Sequence, residues 1–342
     1  MWGVASLVFC LFSILPGDPS TMMLGQRDNE EMRMAIQKKY GFDKPIASQY
    51  IYFINDLSPL SLHGNSADDF TNLSNHPYSV IGSLRMEAYS IVIKTPYLRE
   101  SFVRKGVSVS SIIANTLPNT FILALASMSI ALFLGISLGV VCAVKQHKFI
   151  DQFLSSIAVF GMALPSFFSA ILIAWIFGFV YQKYTGLSMT GSLYEVDDYG
   201  RGEALALKNL LLPAITLGIR PLAVVMQLTR NSVLDTLGED YIRTAKAKGL
   251  SSFRVLFVHA LPNALNPVVT SASGWLASML AGAVFVEFIF GWNGLGKEIV
   301  YALNYLDLPV VMGAVLTLSI CFVIITIFTD LLYYFLDPKI RV

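Results

Sequence analysis

Four long stretches of this sequence contain no Asp, Glu, Lys or Arg, and they constrain the fold more than any other feature. They are residues 117–144, 152–182, 255–286 and 310–329. Each is long enough to cross a bilayer as a helix, which takes about 20 mostly apolar residues. Only 14% of the 342 residues are charged, against roughly 25% in soluble domains. The sequence therefore predicts an all-α polytopic membrane protein and excludes a soluble enzyme, a disordered chain and a disulfide-rich secreted module.

Six membrane-spanning helices are predicted from the apolar stretches. They are expected at residues 1–15, 117–142, 155–180, 208–230, 264–288 and 310–334. The first is short and ends at Pro16-Gly17-Asp18-Pro19. It could instead be a signal peptide, although it lacks a basic flank and a small-residue cleavage site. The favoured interpretation is a span whose upstream residues are missing from the sequence.

The polar part of the chain lies mainly between the first two spans. Residues 18–105 hold 20 of the 47 charged side chains. Residues 16–116 are therefore predicted to form a large loop outside the membrane. Residues 117–336 are predicted to form a five-helix core, followed by a tail at 337–342.

Local patterns within the large loop predict some secondary structure. Charged and apolar residues alternate at helical spacing over Glu30–Tyr40, and Gly41 can end that helix. A second short helix is expected at Ala47–Leu57. Residues 61–79 are rich in Ser, Asn, Asp, His and Gly, a composition typical of loops. This segment is predicted to be flexible.

Lys and Arg in the short loops predict the orientation of the chain, because cytoplasmic loops carry an excess of them. Nine lie in loop 145–151, loop 230–254 and the tail, whereas the opposite short loops hold four, Lys183, Arg201, Lys208 and Lys297. Both termini and loop 230–254 are therefore predicted to be cytoplasmic, and the large loop extracytoplasmic.

No set of residues in the sequence predicts catalysis, a bound cofactor or a metal. The four histidines form no HExxH pair, and no GxSxG motif is present. Three scattered cysteines, Cys10, Cys142 and Cys321, lie in apolar runs and favour buried thiols over disulfides or a metal cluster. The net charge of +1 gives no basic field that would attract nucleic acid.

A glycine-rich stretch near residue 291 has the spacing of a phosphate-binding loop. Gly291, Gly296 and Lys297 match that pattern, but Glu298 stands where Ser or Thr would hold Mg²⁺. The stretch also follows an apolar helix rather than a strand. It is therefore interpreted as an extracytoplasmic turn between spans, built on Gly291, Gly294 and Gly296.

Three charged residues lie within or at the ends of predicted spans, where an unpaired charge is unfavourable. Arg220 lies in the middle of a span beside Pro221, which is expected to break the helix locally. It either lines a hydrated translocation path or stabilises the helix bundle by pairing or by reaching the interface. Glu287 and Asp330 are expected near the membrane interfaces.

The segment 231–263 between the fourth and fifth spans is predicted to form a polar helical hairpin. Asn231-Ser232 can begin a new helix, a short helix is expected over Tyr241–Lys248, and Gly249 can end it. A second helical run then leads to Leu261-Pro262, where the proline is expected to stop it. The hairpin either docks on a soluble partner or is a solvated loop.

This hairpin resembles the EAA loop of bacterial ABC importer permeases, in the form found in the dipeptide/oligopeptide branch of the binding-protein-dependent transport family. The matching residues are Tyr241, Arg243, Thr244, Ala245, Ala247, Gly249, His259, Leu261 and Pro262. Arg243 and Thr244 depart from the general EAA pattern, as is common in the peptide branch.

Further stretches resemble the same branch in the same order along the chain. They are Pro16–Pro19, Tyr40–Pro45 with Gln49-Tyr50, Phe290–Gly296, Asp330–Tyr333 and Asp337–Arg341. Asn293 replaces the proline that is usual in the glycine-rich turn. Residues 64–96 look like an insertion in the outer loop.

The resemblance implies a fold like that of type I ABC importer permeases, in the bacterial inner membrane. It implies three kinds of partner besides membrane lipid: a homologous second permease, two cytoplasmic ATPase subunits that bind the ATP, and an extracytoplasmic substrate-binding protein. Di- or oligopeptides are the implied cargo, and nickel chelates, glutathione or oligosaccharides are alternatives. A stand-alone secondary transporter or channel would be expected to carry buried carboxylate or histidine relays, and a membrane enzyme would need a catalytic set.

Overall fold

The computed structural model describes residues 2–14, 20, 29–66, 69–196 and 202–336, and this part of the chain is mainly helical. Three features of the sequence analysis lie outside the described residues: the Pro16–Pro19 motif, Arg201 and the tail at 337–342. The helices are α1 (Trp2–Ile14), α2 (Glu30–Tyr40), α3 (Ile46–Leu57), α4 (Val109–Val144), α5 (Phe149–Ala163), α6 (Ser166–Ile173), α7 (Gln182–Thr185), α8 (Lys208–Leu237), α9 (Asp240–Ala247), α10 (Ser252–Arg254), α11 (Leu261–Ala264), α12 (Asn266–Phe290), α13 (Leu295–Asn304) and α14 (Leu308–Leu336). Two π-helical segments, Ala174–Val180 and Val255–Ala260, follow α6 and α10.

Among the described residues, four helices are each long and apolar enough to cross a membrane: α4, α8, α12 and α14. They correspond to four of the six predicted spans. The predicted first span is the helix α1, whose 13 residues reach about 20 Å at 1.5 Å per residue. The remaining predicted span, 155–180, takes a different form.

The predicted span 155–180 is not one straight helix. Helices α5 and α6 pass the test for a span only as a pair, and they are bent by 110° at the break between them. Pro165 cannot donate a backbone hydrogen bond, and the residue before a proline is restricted to extended conformations. Leu164 accordingly has φ −74° and ψ 132°. The segment is therefore either a broken span or a re-entrant loop.

The chain divides into two compact units. The first comprises Met1–Asn115 and Glu298–Ser319, and the second comprises Thr116–Lys297 and Ile320–Val342. In the first unit, Phe53 of α3 packs with Ala5 of α1 and Leu316 of α14.

The second unit contains most of the membrane helices. Its small apolar core joins α4, α5 and α8 through the buried side chains of Cys142, Ala158, Ala223 and Met226. Cys142 thus behaves as a buried apolar side chain, whereas Cys10 is exposed and Cys321 half-buried. All three are free thiols.

The two helices predicted in the outer loop are confirmed. Asn29 accepts a hydrogen bond from the Glu31 amide at the start of α2, as an N-cap residue does. Gly41 ends α2 with φ +74°, a left-handed conformation that glycine adopts without strain. Helix α3 begins one residue before the predicted Ala47.

The segment 61–79, predicted to be flexible, is partly ordered, which corrects that prediction. Strands β1 (Leu60–Gly64), β2 (Val80–Arg85) and β3 (Tyr89–Lys94) form an antiparallel sheet in the order β1-β3-β2. Leu62 pairs with Ile91 on one side of β3, and Leu84 pairs with the same residue on the other.

A second small sheet pairs β4 (Tyr194–Val196) with β5 (Glu203–Leu205). Both sheets are additions to the predicted helical fold.

Candidate functional site

The polar hairpin between the two membrane helices α8 and α12 is the candidate functional site. Helix α8 continues to Leu237, so Asn231-Ser232 do not begin a new helix and that prediction was wrong. The hairpin starts at Gly238 and contains the short helix α9, the turn at Gly249 and the helical run from Ser252 to Ala264. It is therefore shorter and more compact than the predicted loop 231–263.

Helix α9 forms where the sequence places favourable charges at both of its ends. Asp240 lies in its first turn and Lys246 in its last, which complements the helix dipole. Gly249 follows with φ +79°, the left-handed turn that the sequence predicts. The N–H of Gly249 donates to the carbonyl of Lys246 at 2.9 Å, and this bond fixes the reversal of the chain.

A small apolar core makes the hairpin rigid. Ile242 and Ala245 of α9 are buried against Val255 and Ala260 of the π-helical segment, and Leu237 and Leu250 pack beside them. Ala245 is therefore a packing residue within the hairpin. The core fixes the orientation of the face of α9 that remains exposed.

The other predicted residues of α9 lie on its exposed face. Tyr241, Arg243, Thr244, Ala247 and Gly249 are all exposed. Arg243 forms an exposed ion pair with Asp240 at 3.2 Å, and the Thr244 hydroxyl donates to the Asp240 carbonyl at 3.0 Å. This face is polar, basic and accessible, as expected of a docking surface.

The second half of the hairpin packs back on the first. The Asn263 side-chain amide donates to the Tyr241 hydroxyl at 3.0 Å and to the His259 carbonyl at 3.1 Å. Leu261 packs against the buried Val140, Ala143, Val233 and Ala264. His259 is half-buried and Pro262 is exposed.

Pro262 does not stop the second helical run, which corrects the prediction. The chain takes a π-helical form over Val255–Ala260 and continues into α11, where Pro262 occupies the first turn. A proline is common in the first turn of an α-helix because its fixed φ suits the helix. The π-helical segment also shifts the register, so that both Val255 and Ala260 face the buried side.

Arg220 lies on an exposed face of α8. The helix runs without interruption through both Pro213 and Pro221, so the expected local break at Pro221 does not occur. None of the ion pairs between described residues includes Arg220.

The glycine-rich turn after α12 is built around buried side chains. Gly291 has φ +67°, and Trp292 is fully buried with its indole N–H donating to the Asn119 carbonyl at 3.0 Å. The Asn119 amide donates in return to the Asn293 carbonyl at 2.8 Å. The turn is thereby tied to α4 within the second unit.

Glu287 is fully buried within the protein. Its Oε2 accepts the N–H of Gly296 at 2.6 Å and the N–H of Lys297 at 3.2 Å. Those donors open helix α13, so Glu287 caps it. A Cβ at Gly296 would lie 2.8 Å from Oε2 and 2.5 Å from the Val284 Cα. The amides that a phosphate loop would present are therefore turned towards a carboxylate of the same chain.

Two features of the second unit were missed by the sequence analysis. Asp151 is almost fully buried and forms a two-pronged ion pair with Arg230, at 2.6 Å to Nε and 2.8 Å to Nη2. Gly135 and Gly139 let α4 approach α8 closely. Their G-x3-G spacing, typical of close helix contacts in membranes, was the signal that could have revealed them.

The described residues offer no cluster of three or more His, Cys, Asp or Glu side chains that could hold a metal ion. A polar network in the first unit is centred on Asp56. The carboxylate of Asp56 accepts the Tyr78 hydroxyl at 2.8 Å and the Arg99 Nε at 2.9 Å. The Lys94 ammonium donates to the Asp56 carbonyl at 2.6 Å, which joins the sheet to α3.

The same network contains two histidines, and we expect it to weaken as the pH falls. Burial lowers the pKa of His63 and of His76, so the folded state favours their neutral forms. The unfolded chain, with an ordinary histidine pKa of about 6.5, binds protons more readily there, and the free energy of unfolding decreases as the pH falls below that value. Tyr97 belongs to the same region, since its ring centroid lies 4.9 Å from that of Tyr78. Hydroxyl-radical footprinting of Tyr78 and Tyr97 should therefore show more labelling at about pH 5.5 than at about pH 7.5.

A variant carrying both His63→Gln and His76→Gln is the control for this expectation, and its labelling should change little over the same range. Equal pH responses of the variant and the unmodified chain would contradict the assignment to these histidines.

Comparison with known proteins places most of the chain in one family. Residues 135–342 match the family described as binding-protein-dependent transport system inner membrane component. Residues 1–66 match the family of N-terminal segments of such membrane components. Together the two matches include α1, the hairpin and the glycine-rich turn.

Curated relatives match over nearly the whole chain. A putative peptide permease protein of Brucella suis is 32% identical over 339 residues, which cover 98% of this chain and 93% of the relative. The di/tripeptide transport system permease protein DppB of Pseudomonas aeruginosa is 31% identical, with 99% and 94% covered. The dipeptide transport system permease protein DppB of Escherichia coli K12 is 32% identical with the same coverage.

A solved structure has the same fold at low sequence identity. A chain of the MetNI methionine ABC transporter, in an inward-facing conformation, superposes with a TM-score of 0.53 at 16% identity. The match covers 67% of this chain and 98% of that chain. This likeness concerns the fold alone.

Proposed function

The chain belongs to the family of binding-protein-dependent transport system inner membrane components, and from that membership we propose that it forms half of the translocation path of an ATP-driven importer of di- and oligopeptides. It is a multi-pass protein of the inner membrane and a transport subunit. Relatives named as peptide and dipeptide permeases, at 31–32% identity over nearly the whole chain, support the choice of cargo.

The exposed face of α9 is the observation that carries the proposal. Its core residues Ile242 and Ala245 hold the helix against the π-helical segment, and its basic outer face is exposed. A rigid helix can transmit a displacement, whereas a solvated loop cannot. We therefore assign α9 as the helix that docks on a cytoplasmic ATPase subunit, which binds and hydrolyses the ATP.

The remaining partners follow from the same proposal. A homologous second permease would complete the translocation path, and an extracytoplasmic binding protein would deliver the peptide to the outward-facing loops. The hairpin and both termini would then be cytoplasmic, as the distribution of Lys and Arg predicts. ATP-driven association of the ATPase subunits would shift the permease pair between inward-open and outward-open states through differential binding.

Gly249→Val tests the docking role. A left-handed conformation is unfavourable for residues with a side chain by roughly 1–2 kcal/mol, and a Cβ at Gly249 would meet no atom within 4 Å. The expected effect therefore comes from the backbone alone. A change of about 1.4 kcal/mol is a tenfold change in population, so uptake of labelled dipeptide and peptide-stimulated ATP hydrolysis should fall about tenfold, with membrane insertion intact.

Gly249→Asn is the matched control, because asparagine adopts the left-handed conformation more readily than other residues. It should retain most of the uptake. Normal coupling in the valine variant would contradict the docking role, and failure of the unmodified importer to take up any di- or oligopeptide would overturn the proposed cargo.

A further inference from the structure

The second half of the hairpin carries an exposed apolar patch, which is separate from the exposed face of α9. Phe253, Phe257 and Val258 are 71%, 43% and 60% exposed. The two phenylalanine rings lie 4.5 Å apart between centroids, so they form one continuous surface. On the opposite side of the same run, Val255 and Ala260 are buried in the hairpin core. The run is thus anchored on one side and apolar on the other.

The charged residues near the patch in the sequence have one sign. From Tyr241 to Val286 the sequence contains no Asp or Glu, whereas Lys248 and Arg254, outside α9, are present and exposed. Arg254 lies between the two phenylalanines in the sequence. Exposed aromatic residues beside basic ones are typical of segments that lie in the interface of membranes with anionic lipids.

The patch is also close to a membrane helix along the chain. Val258 precedes the first residue of α12 by eight positions, and the intervening residues are almost entirely helical. Eight helical residues extend about 12 Å, so the patch cannot lie far from the membrane surface. The face of α9, by contrast, presents Asp240, Arg243 and Lys246, which suit a polar protein groove.

We propose that Phe253, Phe257 and Val258 insert into the phospholipid surface beside α12, with Arg254 and Lys248 against anionic head groups. The assignment of this anchor to the cytoplasmic leaflet rests on the proposed function. It holds the second half of the hairpin at the bilayer while α9 engages the ATPase subunit. Because the anchor prevents the hairpin from rotating, a displacement of the ATPase subunit displaces α12 as well.

Photocrosslinking in native membranes tests the proposal. Phe253 or Phe257 is replaced by p-benzoylphenylalanine in the full chain, in cells that carry the complete importer, and adducts are identified by mass spectrometry. The replacement keeps an aromatic ring at an exposed position, so folding should be preserved. Adducts with the mass of one phospholipid, enriched in anionic lipid relative to the membrane composition, are expected at both positions.

Replacement of Tyr241 by the same photoreactive residue is the matched control. An adduct of this position with another polypeptide, identified as the ATPase subunit, supports the proposed function separately. Polypeptide adducts at Phe253 and Phe257, or no adduct at either, would overturn the lipid anchor. Lipid adducts at those two positions without an ATPase adduct at Tyr241 would sustain the anchor and count against the docking role of α9.

Discussion

Gly139→Ala should lower the free energy of unfolding of the membrane core by about 1–3 kcal/mol, the range for an overpacked site. A Cβ at this position would lie 2.6 Å from the Met226 carbonyl oxygen and 2.6 Å from the Thr229 Cβ of α8. Both distances are far inside the separation of about 3.5–4.0 Å at which atoms attract. The obstacle is partly backbone, so the helices must move apart. Thermal unfolding in detergent, followed by circular dichroism, measures the loss.

Gly274→Ala in α12 is the matched control, since a Cβ there would meet no atom within 4 Å. In a helix, alanine is favoured over glycine by about 1 kcal/mol, so this variant should be as stable as the unmodified chain or slightly more so. Equal stabilities of the two alanine variants would show that α4 and α8 do not approach each other closely at Gly139.

Removal of the carboxylate in Asp151→Ala should reduce the stability of the second unit by about 3 kcal/mol, towards the lower end of the range for a broken buried ion pair. The side chain of Asp151 is 4% exposed and that of Arg230 is 22% exposed. Without Asp151 the guanidinium is left largely buried and unpaired. The amide of His147 also loses its acceptor, which lies at 3.0 Å. The same unfolding measurement applies.

Asp240→Ala provides the contrast, because the side chains of the Asp240–Arg243 pair are 95% and 74% exposed. Exposed pairs contribute only about 0–1 kcal/mol, so this variant should differ little in stability. Replacement of both Asp151 and Arg230 by apolar residues, Asp151→Leu with Arg230→Met, should recover much of the loss. A double variant no more stable than Asp151→Ala would indicate that the unpaired charge is not the cause.

The sequence was most informative where a physical constraint acts along the chain itself. Charge-free stretches predicted α4, α12 and α14, and an apolar stretch interrupted by Arg220 predicted α8. A backbone in hydrocarbon must satisfy its hydrogen bonds within a helix. The turns at Gly41 and Gly249 were predicted for a similarly local reason. A helix often ends at a left-handed residue, and glycine adopts that conformation without strain.

Prolines show where local reasoning was insufficient. A break was expected at Pro221 and a stop at Pro262, whereas the predicted span 155–180 ran through Pro165. Instead, Pro165 marks a 110° bend, Pro221 lies within a continuous helix and Pro262 opens a helical turn. A proline removes one backbone donor in every case. Whether the helix bends depends on the hydrogen bonds and packing that neighbouring segments provide at that point. The periodicity of apolar residues along the sequence does not contain that information.

The sheet of β1, β2 and β3 was not predicted, because its strands bury polar side chains and expose apolar ones. Ser61, His63 and Lys94 are buried, whereas Leu60 and Leu62 are exposed. An alternating strand is normally recognised by its apolar buried face. The polar side chains can be buried here because each has a partner. His63 hydrogen-bonds to the Ser61 hydroxyl and the Thr71 carbonyl, and Lys94 donates to the Asp56 carbonyl.

The sequence by itself determined that this chain crosses a membrane, which family it belongs to and where its polar hairpin lies. These follow from composition and from motifs that are continuous in the chain. Only the tertiary structure decided that Glu287 is a buried cap, that Asp151 pairs with Arg230, and that Phe253 and Phe257 form an exposed patch opposite the hairpin core. Each of these depends on which residues far apart in sequence share one environment, and the free energy of a buried charge or an exposed ring is set by that environment.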